Sequence, residues 1–200
     1  MPDLNILSPE KIRSCLTQSA GITHDLPDQW IEIECQQAAV LIPFVKIQQQ
    51  WHLLYIRRAA HPDDPHSGQV AFAGGKYELV DENLTTTALR EAQEEIGLVP
   101  QDVKVLGELN YHHSISHFRI TPVVAHIPWP YDLTLDQQEV ARVFTIPLNW
   151  LANPENYRVK QHRHQRLQPF PVVYFEEYDG ELLWGATARM MLSLISLLHQ

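Results

Sequence analysis

Between Arg90 and Gly97 the chain reads Arg-Glu-Ala-Gln-Glu-Glu-Ile-Gly, and no other stretch constrains the fold as much. In a helix, Glu91, Glu94 and Glu95 fall within roughly a 100° arc, because positions i, i+3 and i+4 are surface neighbours. Ala88, Leu89, Ala92 and Ile96 take the adjoining arc. An apolar stripe of this kind packs against the rest of a protein, which fixes the helix and aims its acids toward a cleft. The pattern predicts a helix from about Asn83 to Ile96. Gly97 stands where a left-handed cap is wanted, with Pro100 soon after. Three carboxylates so spaced repel one another, and Arg90 alone does not neutralise them. A hard divalent cation with oxygen ligands is the natural counter-ion, and magnesium binds through a few carboxylates while recruiting phosphate oxygens. For three glutamates in isolation a solvated helical face is the ordinary reading, so the surrounding residues must decide.

Composition narrows the classes of partner. The chain has 200 residues, 44% hydrophobic and 20% charged, which describes a globular chain able to bury a core as one domain. Its 15 basic and 24 acidic residues give a formal net charge of -9, leaving no broad basic face for nucleic acid. Cys15 and Cys35 form no CxxC pair and read as reduced thiols. The start of the chain has neither a basic region nor a sustained apolar one, and no run approaches the roughly 18 apolar residues of a membrane span. The expected compartment is the cytoplasm, with no membrane association.

Ser8-Pro9-Glu10 reads as the cap and first turn of a leading helix. Ala38 to Ile47 and Trp51 to Ile56 read as a β-hairpin around Gln48-Gln49-Gln50. An exposed loop is expected at Pro62–Pro65, then a paired-glycine turn at Gly74-Gly75. Further strands are expected at Val103 to Leu109, Phe118 to Ile127, Arg142 to Ile146 and Val172 to Phe175, with a core-facing helix from Ala186 to Leu198. The fold class is α+β, with strands in the middle and helices packed against them.

The double glycine Gly74-Gly75, Glu78 and Asp81, Arg90-Glu91, Glu94-Glu95 and Gly97-Leu98 together resemble the Nudix box. One departure is visible, since Asp81 stands nine residues before Arg90 where the box has a glutamate eight before it, a spacing that Glu82 satisfies. That expansion is similar to the coenzyme A pyrophosphatase-like branch, whose box opens GGxxDxxD and continues to TALRE, as Thr87-Ala88-Leu89-Arg90-Glu91 does. Of the branch's upstream signature, Leu53-Leu54, Gly68, Phe72 and Gly74-Gly75 fit. Arg57, Ala60, Asp64 and Ala73 stand in place of its threonine, serine, arginine and proline.

The resemblance implies a Nudix fold, a mixed β-sheet sandwiched between helices, over residues 1–200, with a short helical extension at about residues 1–30. It implies a hydrolase that cleaves the diphosphate of a small nucleotide derivative with magnesium or manganese. Glu91 and Glu95 would ligate the metal, and Glu94 would be a third ligand or the base that activates water. Arg90 would orient a carboxylate, and Glu139 is a candidate late-loop base or ligand, with a solvated loop as its plainer reading. Gly74 and Gly75 would border the substrate, and Arg57 or Arg58 would replace the missing signature arginine. The favoured substrate is coenzyme A or acyl-coenzyme A, cleaved to adenosine 3′,5′-bisphosphate and a phosphopantetheine. ADP-ribose or another nucleoside diphosphate conjugate is the alternative, a non-catalytic nucleotide sensor is a third reading, and a homodimer is left open.

Among the 11 histidines, His112, His113 and His117 cluster and His162 and His164 alternate, but with no cysteine beside them they read as surface or substrate-contacting residues in preference to a zinc site. Tyr111, Phe118 and Trp184 read as core in preference to base-stacking residues. Arg163 and Arg166 read as part of a solvated His-rich loop.

Overall fold

The computed structural model describes residues 3–18, 35–61, 66–164 and 167–199. The loop expected at Pro62–Pro65, Arg166 and the later part of the N-terminal extension lie outside the described residues, as does the side chain of Arg163.

Helix α1 (Pro9–Gln18) begins as its sequence dictates: the Ser8 hydroxyl accepts from the Lys11 amide at 3.2 Å, and proline occupies the first helical position. Strands β1 (Gln36–Ile47) and β2 (Gln50–Arg58) form the expected hairpin. Gln48 and Gln49 turn it with φ of 47° and 67°, the left-handed pair that matches strand twist in a two-residue turn. Short strands β3 (Val70–Ala71) and β4 (Gly74–Lys76) pair with β2 and β1 and lead into helix α2 (Leu84–Ile96). The Asn83 side chain caps the start of α2 on the Thr86 amide, and Gly97 at φ 69° ends it.

Beyond α2 come β5 (Lys104–Glu108), β6 (His112–His113), β7 (Phe118–His126) and β8 (Val140–Pro147). They are followed by helix α3 (Leu148–Ala152), strands β9 (Tyr157–His164) and β10 (Leu167–Phe175), and helix α4 (Gly185–Leu198). β7 lies parallel to β1 while the other pairings are antiparallel, so the eight-stranded sheet is mixed. Side chains alternate across it. Leu41, Val45, Leu54 and Ile56 pack with Ala88, Ala92 and Ile96 of α2 on one face. Ile42, Phe44, Leu53 and Tyr55 pack with residues of α1, α3 and α4 on the other. Each large apolar side chain so buried contributes about 1.5–3 kcal/mol, and the two cores hold the sheet between helices.

Several elements differ from the sequence reading: the paired glycines expected as a turn belong to β4, and the short strands β3 and β6 were not expected. The His-rich stretch is not a solvated loop: Tyr157–His164 is β9, paired along its length with β10. Its polar residues disguised it, because β10 supplies the buried side with Phe170, Val172 and Phe175 while Val159 of β9 remains 56% exposed. Helix α3 is a single five-residue turn, too short for helical periodicity to reveal. Among the described residues no helix is long and apolar enough to cross a membrane.

Candidate active site

Arg90 organises the loop and helix that carry the acids. Its Nε donates to Asp81 Oδ1 at 3.0 Å and its Nη2 to Asp81 Oδ2 at 3.2 Å, the forked geometry of a strong guanidinium–carboxylate pair. Nη2 also donates to the Lys76 carbonyl at 3.0 Å, tying α2 to β4. Asp81 is buried and accepts as well from the Thr87 hydroxyl and the Glu78 amide. The Arg90 pair, helped by these donors, holds its carboxyl down at about 2, and the same contacts raise Arg90 above its ordinary value. The structure thus chooses Asp81 over the exposed Glu82 as the partner of Arg90; the extra residue lies between the two, where a bend at 82–83 leads into α2.

The three box glutamates have separate environments. Glu95 is 1% exposed and accepts from the Gly74 amide at 3.0 Å, with Arg58 Nη1 at 3.9 Å. Burial pushes its carboxyl up to about 8, against the pull of Gly74 and Arg58, with Glu139 and Glu91 adding repulsion. Glu91 is also raised by burial, opposed by Arg90 at 2.9 Å and reinforced by Glu94 and Glu139. Glu94 stands 57% exposed on the outer side, bonded to Arg90 at 3.0 Å. Glu139 lies in the turn before β8 and is exposed, yet its charge acts on both Glu91 and Glu95. It therefore lies near the acids instead of belonging to a remote loop, in a turn that the Asp136 amide ties to the Glu95 carbonyl at 3.0 Å.

Both glycines are closely packed, Gly74 against backbone and Gly75 against a side chain. A Cβ at Gly75 would stand 2.5 Å from the Glu91 carboxyl, and one at Gly74 would stand 2.3 Å from the Ala39 carbonyl oxygen. At Gly74 bare backbone is what lets β4 lie against β1, and at Gly75 it leaves the Glu91 carboxyl its place.

Hard oxygen donors pushed toward protonation by burial and by one another suit a hard divalent cation, which would restore their charge. Among the described residues no three acids, histidines or cysteines are already gathered to hold one. Arg90 draws Glu91 and Glu94 toward itself, so the donor chemistry fits a cation while Arg90 serves as counter-ion to two of its three box glutamates.

Alternation along β2 separates the two arginines considered for substrate. Arg58 lies on the α2 side near Glu95 and lines a cleft of about 720 Å³. Arg57 points to the opposite face, where it pairs with Glu181 at 3.4 Å, and does not line the cleft. Gly74 and Gly75 form part of the cleft wall. Most of the rest is apolar, with Phe72, Phe118, Ile120, Phe170, Trp184 and Met190 contributing. Phe118 and Trp184 are thus cleft residues and not core, and Trp184 stacks on Tyr174 at 5.6 Å and 3°. Tyr111 is 45% exposed, with the Arg119 guanidinium over its ring at 5.2 Å. Sequence reasoning missed Lys76 and Arg189 as cleft residues. Lys76 was within reach, since it follows the diglycine directly; Arg189 shows only as one polar residue in an apolar helix. His113 and His162 also line the cleft.

A family model described as the NUDIX domain matches residues 36–167. The protein described as "Uncharacterized Nudix hydrolase NudL" of Enterobacter sp. (strain 638) is 37% identical over 164 residues, covering 80% of this chain and 81% of that one. Its counterpart of the same description in Salmonella heidelberg (strain SL476) is 37% identical over 180 residues, covering 86% and 85%. Among solved structures, the MutT/nudix family protein from Enterococcus faecalis superposes with a TM-score of 0.51 at 13% identity, covering 94% of this chain and 73% of that one. At that identity the likeness speaks to the fold.

Proposed function

The chain belongs to the Nudix family and is a diphosphate hydrolase, and from that premise we propose that its substrate is coenzyme A or an acyl-coenzyme A. Cleavage yields adenosine 3′,5′-bisphosphate and a phosphopantetheine. The observation that carries this reading is the cleft: an extended, mainly apolar wall with phosphate-seeking cations, opening at the diglycine beside the acids. A pantetheine arm, or the acyl chain of a thioester, suits the apolar stretch of the wall around Phe118, Ile120, Phe170 and Met190.

Glu91 and Glu95 would hold a magnesium or manganese ion, with Glu94 as a third ligand or the base. When bound, the metal lowers the pKa of a bound water and offsets charge developing on the diphosphate oxygens. Arg90 keeps the loop at 76–81 clamped to α2, so that the acids stay aimed at the cleft. Arg58 lies beside Glu95 and neutralises a diphosphate oxygen. Glu139, exposed and near the buried pair, is the alternative base, accepting the proton from the attacking water. A phosphorus–oxygen bond to that water forms as the bridging phosphorus–oxygen bond breaks, and the leaving oxygen departs on a phosphate monoester.

A panel of coenzyme A, acetyl-coenzyme A and ADP-ribose at equal concentration with magnesium tests the choice of substrate. We expect kcat/KM on the coenzyme A pair to exceed that on ADP-ribose at least ten-fold. A rate on coenzyme A no better than on ADP-ribose sinks the substrate assignment and leaves the diphosphate chemistry standing.

A further inference from the structure

The charged groups in and around the cleft fall into two sets on different elements. The charges acting on Glu91 and Glu95 are those of Arg90, Arg58, Glu94 and Glu139. Away from them, His113 is held below its ordinary value by burial and by the positive charges of Arg119 and Arg189. Arg189 reaches from α4 to donate to the His113 carbonyl at 2.6 Å, a bond that anchors the guanidinium on a neutral acceptor. Lys76 extends over the Phe118 ring at 5.5 Å. The turn from β6 to β7 adds Ser114 and Ser116, whose hydroxyls lie 3.0 Å apart. Arg189, Lys76, His113 and both serines line the same cleft as the diglycine. In a chain of net charge -9, cations gathered with hydroxyls on a concave wall mark a place for an anion.

We infer that Arg189 and Lys76, with the Ser114 and Ser116 hydroxyls, form a second anion subsite that binds a phosphate monoester on the nucleotide ribose, apart from the diphosphate held beside Glu95. Arg58 adjoins the acids and serves the diphosphate; Arg189 stands on another element, anchored to the turn that carries the serines. A guanidinium offers a fork of donors to a phosphate, an ammonium adds a point charge, and serine hydroxyls donate to the remaining oxygen. The site is a specificity device for a ribose that bears its own phosphate. It rests on the coenzyme A reading for the identity of that nucleotide, and its test needs no turnover.

The experiment is calorimetric titration of the full-length protein with adenosine 3′,5′-bisphosphate and, separately, with 5′-AMP, which lacks the second phosphate. Wild type should bind the bisphosphate at least ten-fold more tightly, and Arg189→Met should bring the ratio close to one, with Lys76→Met giving a smaller fall. Equal affinities in the wild type overturn the inference whether or not the variants fold. A ratio that persists in Arg189→Met, or a loss of both ligands by the same factor, also overturns it, because either result assigns Arg189 no part in reading the second phosphate. If coenzyme A is not hydrolysed while the wild-type preference and its loss in the variant hold, the substrate assignment fails and the subsite stands.

Discussion

Asp81 shows how one side chain settles a question that spacing leaves open. Two acids compete for the role of Arg90's partner: counting forward from Gly75 gives Asp81, and counting back from Arg90 gives Glu82. Burial decides for Asp81, which receives the Arg90 fork, the Thr87 hydroxyl and the Glu78 amide together. A carboxyl at about 2 in the fold and near 3.8 when unfolded stabilises the native state above the unfolded value, and that contribution is lost as pH falls from about 4 toward 2. The shift corresponds to about 2 kcal/mol at neutral pH. Asp81→Asn should lower unfolding free energy by an amount of that order at pH 7, measured by urea titration, and the deficit should shrink at low pH. Glu82→Gln should leave the curve in place. The reverse ranking would return the role to Glu82.

At the scale of elements, the contact of β4 with α2 places the chemistry. The helix was legible from its own residues, since Asn83, the apolar stripe and Gly97 all act locally, and the structure reproduces both ends. The hairpin was legible for the same reason. Strand β9 was not, because its partner β10 carries the buried face, and neither was the approach of Glu139 to Glu91 and Glu95, which depends on where β8 pairs with β2. The location of Arg57 and Arg58 on opposite faces follows from strand alternation once β2 is known to run through Arg58. The close pass of Gly75 over Glu91 gives a prediction for this junction. Gly75→Ala should displace the Glu91 carboxyl and cut kcat at least ten-fold, while the melting temperature changes by only a few degrees. A variant with full activity would show that Glu91 tolerates displacement and is not held for the reaction.

Across the whole molecule, the mixed sheet separates two tasks. Its α2 face carries the acids and Arg58, and the α4 side supplies the apolar wall with Arg189. The cleft is lined by Arg58, β4, the β6–β7 turn and the start of α4 together, so one ligand can touch residues of each. This arrangement suits the proposed ligand, with its apolar arm, diphosphate and phosphorylated ribose. The most direct measurement is a mass-resolved time course of coenzyme A hydrolysis with magnesium present and then chelated. The account predicts adenosine 3′,5′-bisphosphate and 4′-phosphopantetheine in equal amounts, with cleavage stopping on chelation. No cleavage of the diphosphate with the metal supplied, or products in which the diphosphate is intact and only the ribose phosphate is lost, would contradict it.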